Sequence, residues 1–133
     1  MSEITKTDNQ ILKAKFDDLN EKEQERFFDL IEEKILEKYG KLVPKGSKTK
    51  ILVLENGLGC ILNHPKPYVL SKALGALSSI KDDPDMYKAG NHILKNCWVA
   101  GDNEILDNEE LRFAAALQAA QVIEVLQGRL KKN

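Results

Sequence analysis

The spacing of apolar positions changes twice along the chain, and the changes divide it into helices on both sides of one hairpin. Ile11, Leu12, Phe16 and Leu19 recur at helical spacing and predict a first helix over about 8–19. Asn20-Glu21-Lys22-Glu23 has the form of a capping box, in which Asn20 accepts from the Glu23 backbone and the Glu23 carboxylate returns the bond. Behind it Phe27, Phe28, Ile31, Ile35 and Tyr39 share one face, with Glu and Lys filling the other, which predicts an amphipathic helix over about 21–39. Gly40 and Pro44 supply its stop. "KLVPKGSK", over 41–48, reads as a linker between an N-terminal helical segment (1–40) and a hairpin-plus-helix domain (49–133).

The period then drops to two. In "KTKILVLENGLGCILNHP" two β-rich runs, about 49–55 and 58–63, flank Asn56-Gly57, a pair suited to the positive-φ positions of a type I′ turn. A two-residue loop sets Val53 opposite Cys60 and Ile51 opposite Leu62, and leaves Leu52, Leu54 and Ile61 together on the other face. Both faces are then apolar, and a two-stranded ribbon standing alone is marginal in water. The expectation is that helices cover one face, while the N-terminal helix or a second subunit covers the other.

Helical spacing returns after "NHPKP". Pro67 suits a first turn, and Tyr68, Ala73, Leu74, Leu77 and Ile80 carry a helix over about 67–80. "KDDPD" restarts the pattern, with Asp83 as N-cap, Pro84 at the first helical position and Asp85 near the positive end of the helix dipole. The helix over about 84–98 shows Met86, Ala89, Ile93, Leu94, Cys97 and Trp98 on its stripe, and Gly101 ends it. Asp107-Asn108-Glu109-Glu110 is a second capping box opening a helix over about 108–131, some 35 Å long. Phe113, Leu117, Ala120, Ile123 and Leu130 form one of its stripes, and Leu111, Ala115, Ala119, Val122 and Leu126 a second. Its run of small Ala residues admits a close helix neighbour. The fold class that follows is α+β, mainly α, with one central hairpin among helices.

Composition narrows the function. A length of 133 residues favours one domain, and 42% hydrophobic content supports a core. Net charge is −1, with 20 basic against 21 acidic residues, so the basic excess expected for nucleic acid or anionic membrane is missing. No apolar run approaches the roughly 20 residues that span a bilayer. "MSEITKTDNQ" has no hydrophobic stretch, so no secretory signal is expected. Two Cys make no disulfide framework, which points to a reducing cytoplasm.

Chemistry-bearing residues concentrate in "KNCWVAGDNEI", between Lys95 and Ile105. Cys97 and Trp98 continue the apolar stripe of their helix, where a free Cys behaves as a small hydrophobe; a reactive thiol favours a cationic neighbour or a helix N-terminus. Gly101 and Asp102 follow at a turn, where Asp bonds backbone amides. These four residues are therefore expected to form a structural corner. "DNEILDNEE" fails as a calcium loop, because Asp107 stands where that loop needs Gly. Cys60, His64, His92 and Cys97 lack the tight knuckles of a zinc site. No nucleophile elbow or glycine-rich phosphate loop occurs, so the expectation is a non-enzyme without cofactor, metal or catalytic residues.

From about Lys50 to Lys132 the order of elements resembles the small tail assembly chaperones of long-tailed bacteriophages, prophage versions in particular. The hairpin "ILVLENGLGCIL" and the helix "KPYVLSKALGAL" carry the resemblance, with the corner at Cys97, Trp98, Gly101, Asp102, Glu104 and Ile105 and the final helix "DNEELRFAAALQAAQVIEVLQGRLKK". The first 40 residues depart from that pattern. The resemblance implies a non-enzymatic protein of the bacterial host cytoplasm that covers the apolar helical stripes of the tape-measure protein before the tail tube polymerises. It also implies self-association and a second, longer product of a ribosomal slip, for which an A-rich stretch encoding "KKN" would be the place. The binding surfaces expected on this reading are Leu52, Leu54 and Ile61 on the ribbon, and Val122, Val125 and Leu126 on the last helix. A self-assembling structural protein, or a small regulator binding one partner, would use the same apolar faces.

Overall fold

The computed structural model of the chain describes residues 3–77 and 85–132, with side chains of the final helix as far as Gln121. The fold is α+β and mainly helical, with one antiparallel three-stranded sheet between two helical layers.

α1 (Asp8–Lys13) is shorter than its apolar spacing suggests, because the chain leaves the helix at Ala14 and makes only a 3₁₀ turn at Phe16–Asp18. α2 (Glu21–Tyr39) starts on the expected capping box, with Asn20 accepting from Glu23 N at 2.9 Å and Glu23 accepting from Asn20 N at 3.0 Å. Gly40 ends α2 as expected, but as a right-handed C-cap at φ −57° that opens a short 3₁₀ turn.

The strands β1 (Thr49–Val53) and β2 (Gly59–Asn63) pair one residue out of the expected register: Leu52 faces Cys60 and Ile51 faces Ile61. The reason lies in the loop. Only Gly57 has positive φ, at 89°, so Asn56 does not take the second left-handed position that a type I′ turn needs. Glu55, Asn56 and Gly57 form a three-residue loop instead, in which Leu54 O accepts from Gly57 N at 3.0 Å and Leu54 N donates to Leu58 O at 2.8 Å. A one-residue slip moves each side chain of one strand to the opposite face of its partner. Leu52 and Leu54 thus join Cys60 and Leu62, while Val53 and Ile51 join Ile61.

α3 (Pro67–Leu77) begins at the expected proline; the expected continuation to 80, and the caps expected at Asp83 and Pro84, lie outside the described residues. α4 (Met86–Cys97) has Asp85 as its N-cap, accepting from Lys88 N at 2.8 Å, so the cap is later than the one expected at Asp83. Where the helix was expected to run through Trp98, the chain turns into β3 (Trp98–Gly101), which pairs antiparallel with β2. A register shift beside Ile61 and Leu62 leaves Val99 as an extra residue, so Trp98 packs on the Leu62 side and Val99 on the Ile61 side. A single turn, α5 (Glu104–Asp107), leads to α6 (Glu109–Lys132), capped by Asn108 and not by Asp107: Asn108 Oδ1 accepts from Glu110 N and Leu111 N.

Each sheet face has its own core. On one, Leu52, Leu54, Cys60 and Leu62 meet α3, α4 and α6 through Val69, Ala73, Ile93, Leu94 and Ala119. On the other, Val53 and Ile61 meet Ile11, Leu19, Phe27, Leu30, Ile31 and Ile35 from the N-terminal helices. The rings of Phe16, Phe27 and Phe28 pack at 5.2–5.8 Å around that second core. The stretch 41–48 therefore joins elements that share one hydrophobic cluster, and the N-terminal helices are the cover that the ribbon's second face requires. α4 and α6 make the most extensive contact between any two elements. They approach so closely that a Cβ on Gly90 would strike the Ala116 carbonyl, and Ala115, Ala116, Ala119 and Ala120 are all buried along the crossing.

Candidate functional site

The expected binding residues on the ribbon are hidden. Leu52 is 7% exposed, Leu54 4% and Ile61 0%, and Ile61 lies on the opposite face from the two leucines. The proposed ribbon surface is corrected accordingly: it is core, because the chain's own helices cover both faces. The side chains of Val122, Val125 and Leu126 lie outside the described residues.

The corner is a junction of three elements. Cys97 closes α4 and is buried against the first core. Gly101 pairs with Cys60 so tightly that a Cβ there would collide with the Cys60 side chain. Asp102 then turns inward. Its Oδ2 accepts from Gly59 N at 2.9 Å, its Oδ1 accepts from the Tyr39 hydroxyl at 2.6 Å, and its backbone N donates to Gly59 O at 3.0 Å. Lys38 Nζ stands 3.9 Å from Oδ1. One carboxylate thus ties the end of α2, the start of β2 and the corner together. Its bond to Tyr39, with burial next, pushes the phenol up to about 12, since ionising the hydroxyl would turn the donor into a second anion. Burial, and then the same carboxylate, pushes the Cys60 thiol up to about 12; burial also raises Cys97. Thiols held protonated in an apolar core are poor nucleophiles and poor metal ligands.

Among the described residues the other buried charge is Glu23, 1% exposed, which accepts from Asn20 N, Thr5 N and Thr5 Oγ1 and lies 3.6 Å from Lys6 Nζ. The bond from Asn20 N, followed by those from Thr5, keeps its carboxyl below the usual glutamate range. Glu23 and Asp102 are thus both engaged with this chain's own backbone. Among the described residues no three His, Cys, Asp or Glu side chains gather as a metal set would, and His64 is exposed at the end of the hairpin.

A different feature comes from the helix pair. Tyr87 lies one turn before Gly90 on α4, and Phe113 one turn before Ala116 on α6, so the two rings meet beside the close crossing. They stack at 5.4 Å between centroids with 27° between planes, yet Phe113 stays 51% exposed and Tyr87 37%. With Leu106, Asp107, Glu109, Glu110 and Arg112 they line an open groove of about 680 Å³. Arg112 is held at its rim by Asn91, with Nε donating to Oδ1 at 2.9 Å. Helical periodicity places Phe113 on one stripe of the final helix and does not reveal its pairing with Tyr87. The usable signal was that both aromatics stand three residues before a Gly or Ala suited to close helix contact.

Two smaller grooves, of about 220 and 440 Å³, flank Ile51 and Gln118 where α6 passes β1. Gln118 Nε2 donates to Val53 O there at 3.1 Å, which occupies one outward carbonyl of the edge strand. Among the described residues no helix is long and apolar enough to cross a membrane. Comparisons with protein-family models, curated proteins and solved structures find no match for this chain.

Proposed function

We propose that this chain is a non-enzymatic protein-binding module, a tail assembly chaperone of a long-tailed bacteriophage that acts in the host cytoplasm on the apolar helical stripes of the tape-measure protein. The observation that carries the reading is the Tyr87–Phe113 ledge, two stacked rings left half in water on the surface of a helix pair. Isolated exposed hydrophobics such as Leu42 or Tyr68 are ordinary on a protein surface. Two aromatics in mutual contact, bordering a groove, are what a helical partner buries.

The magnitude suits a reversible coat. At half exposure the two rings offer on the order of 100–200 Å² of apolar surface, or about 3–5 kcal/mol at 25 cal/mol/Å². Association entropy consumes an amount of that order, so one ledge holds a partner weakly. Many copies along a long apolar helix can keep it soluble and still be displaced when the tube polymerises. Support for the phage setting comes from the sequence of the corner at Cys97, Trp98, Gly101 and Asp102 and the order of elements around it, which resemble that family.

The test is co-expression with a helical fragment of a tape-measure protein. The fragment is expected in the soluble fraction, co-purifying with this chain, and Phe113→Ser is expected to reduce recovery with an unchanged circular dichroism spectrum. A chaperone is absent from purified tails; retention in them would make the chain a structural component. Failure to hold the fragment in solution would end the proposal.

A further inference from the structure

We infer that the Tyr87–Phe113 groove recognises a basic amphipathic helix, one that carries lysine or arginine beside its apolar stripe. The inference rests on the protein-binding reading and narrows it to the chemistry of the partner. Asp107, Glu109 and Glu110 line the groove with Arg112, so three carboxylates against one guanidinium leave a local charge of −2. Arg112 is engaged by Asn91, and among the described residues none of the three carboxylates has an ion-pair partner. The start of α6 explains why Glu109 and Glu110 are tolerated together, since they complement the helix dipole. It does not explain two exposed aromatic faces beside them.

Together the rings and carboxylates make a complementary surface for one kind of side chain. A lysine or arginine stem lies along an aromatic face while its charged head reaches the acidic rim. Leucine or alanine one turn away on the same partner helix covers the remaining ring surface. An acidic helix with the same stripe meets three like charges and is rejected, so the charge supplies discrimination where the rings supply area.

Two synthetic helical peptides with identical Leu/Ala stripes, one flanked by lysine and one by glutamate, distinguish the outcomes. Each is titrated into the full chain and followed by fluorescence anisotropy at low and high salt. The lysine peptide is expected to bind about tenfold or more tightly at low salt, with the gap closing as salt rises. D107N/E109Q/E110Q is expected to erase the preference, and F113S to weaken both peptides, with circular dichroism confirming the helix content of each variant. Equal binding of the two peptides, or a preference that survives the triple substitution, overturns the inference. If equal binding is accompanied by weakening of both peptides in F113S, the docking reading survives without its charge rule. If F113S binds as the parent does, the docking reading falls as well.

Discussion

Gly90→Ala separates local helix propensity from tertiary packing, because the two predict opposite signs. On an isolated helix the change favours the folded form by about 1 kcal/mol, since Ala is the better helix former. In this structure the new methyl points at α6, where it would overlap the Ala116 carbonyl oxygen and stand 3.1 Å from Ala116 Cα. Ordinary contact begins near 3.4 Å and the carbonyl oxygen would stand far inside that distance, so α4 and α6 must part by well over ~1 Å. A gap of that size forfeits about half or more of each dispersion contact along the crossing. That crossing buries Ile93, Leu94, Ala115 and Ala119. Overpacking of this kind costs about 1–3 kcal/mol or more, so the net expectation is a loss of about 2 kcal/mol and a Tm lower by about 5–10 °C. Urea and thermal melts followed by circular dichroism measure it. The atoms in the way are backbone, so adding Ala116→Gly gives no rescue. A Gly90→Ala protein as stable as the parent, or more so, would refute the close crossing and with it the placement of Tyr87 against Phe113.

Three further outcomes follow from the corner and the core. In an alkaline titration read by tyrosinate absorbance, one of the three tyrosines is expected to ionise near pH 12, and Tyr39→Phe to remove that phase. The native pKa lies above the unfolded value of 10.0, so the stability that Tyr39 adds is complete below about pH 10 and lost as pH rises through 12. Asp102→Ala leaves Gly59 N and the Tyr39 hydroxyl without their acceptor and is expected to cost about 2–3 kcal/mol; a double-mutant cycle with Tyr39→Phe should show coupling. Cys60 and Cys97 are both buried, so a neutral-pH thiol reagent is expected to modify neither in the folded protein and both in denaturant; Cys97→Ala should cost about 1–3 kcal/mol.

What could be read along the chain was local. The Asn20–Glu23 box needs only four consecutive residues, and it stands where expected. The hairpin was visible because β-rich runs flank a turn pair, but its register was not. Choosing between a two- and a three-residue loop depends on the φ of Asn56, and Asn can adopt either sign. Strand β3 was invisible for a different reason. "WVAG" follows a helical stripe without a break in pattern, and it becomes a strand only because β2 offers a free edge to pair with. The role of Asp102 was half legible. Its bonding to backbone amides was expected, whereas Tyr39, 63 positions earlier, becomes its partner only after α2 has packed on the sheet.

The corrected register also changes where binding surface can lie. A ribbon with two apolar faces invites a second subunit only while one face stays open, and here Phe27, Ile31 and Ile35 close it. The first 40 residues, which depart from the chaperone pattern, thus do for this chain what a neighbouring copy could otherwise do. With both sheet faces used internally, the described apolar surface available to a partner shifts to the helices. The stacked pair at Tyr87 and Phe113 is the place where that surface adjoins a groove of net negative charge. A partner chosen there is chosen through side chains of α4 and α6. Substitutions in the ribbon should therefore act on binding only through stability, whereas Phe113 should act on binding with the fold intact.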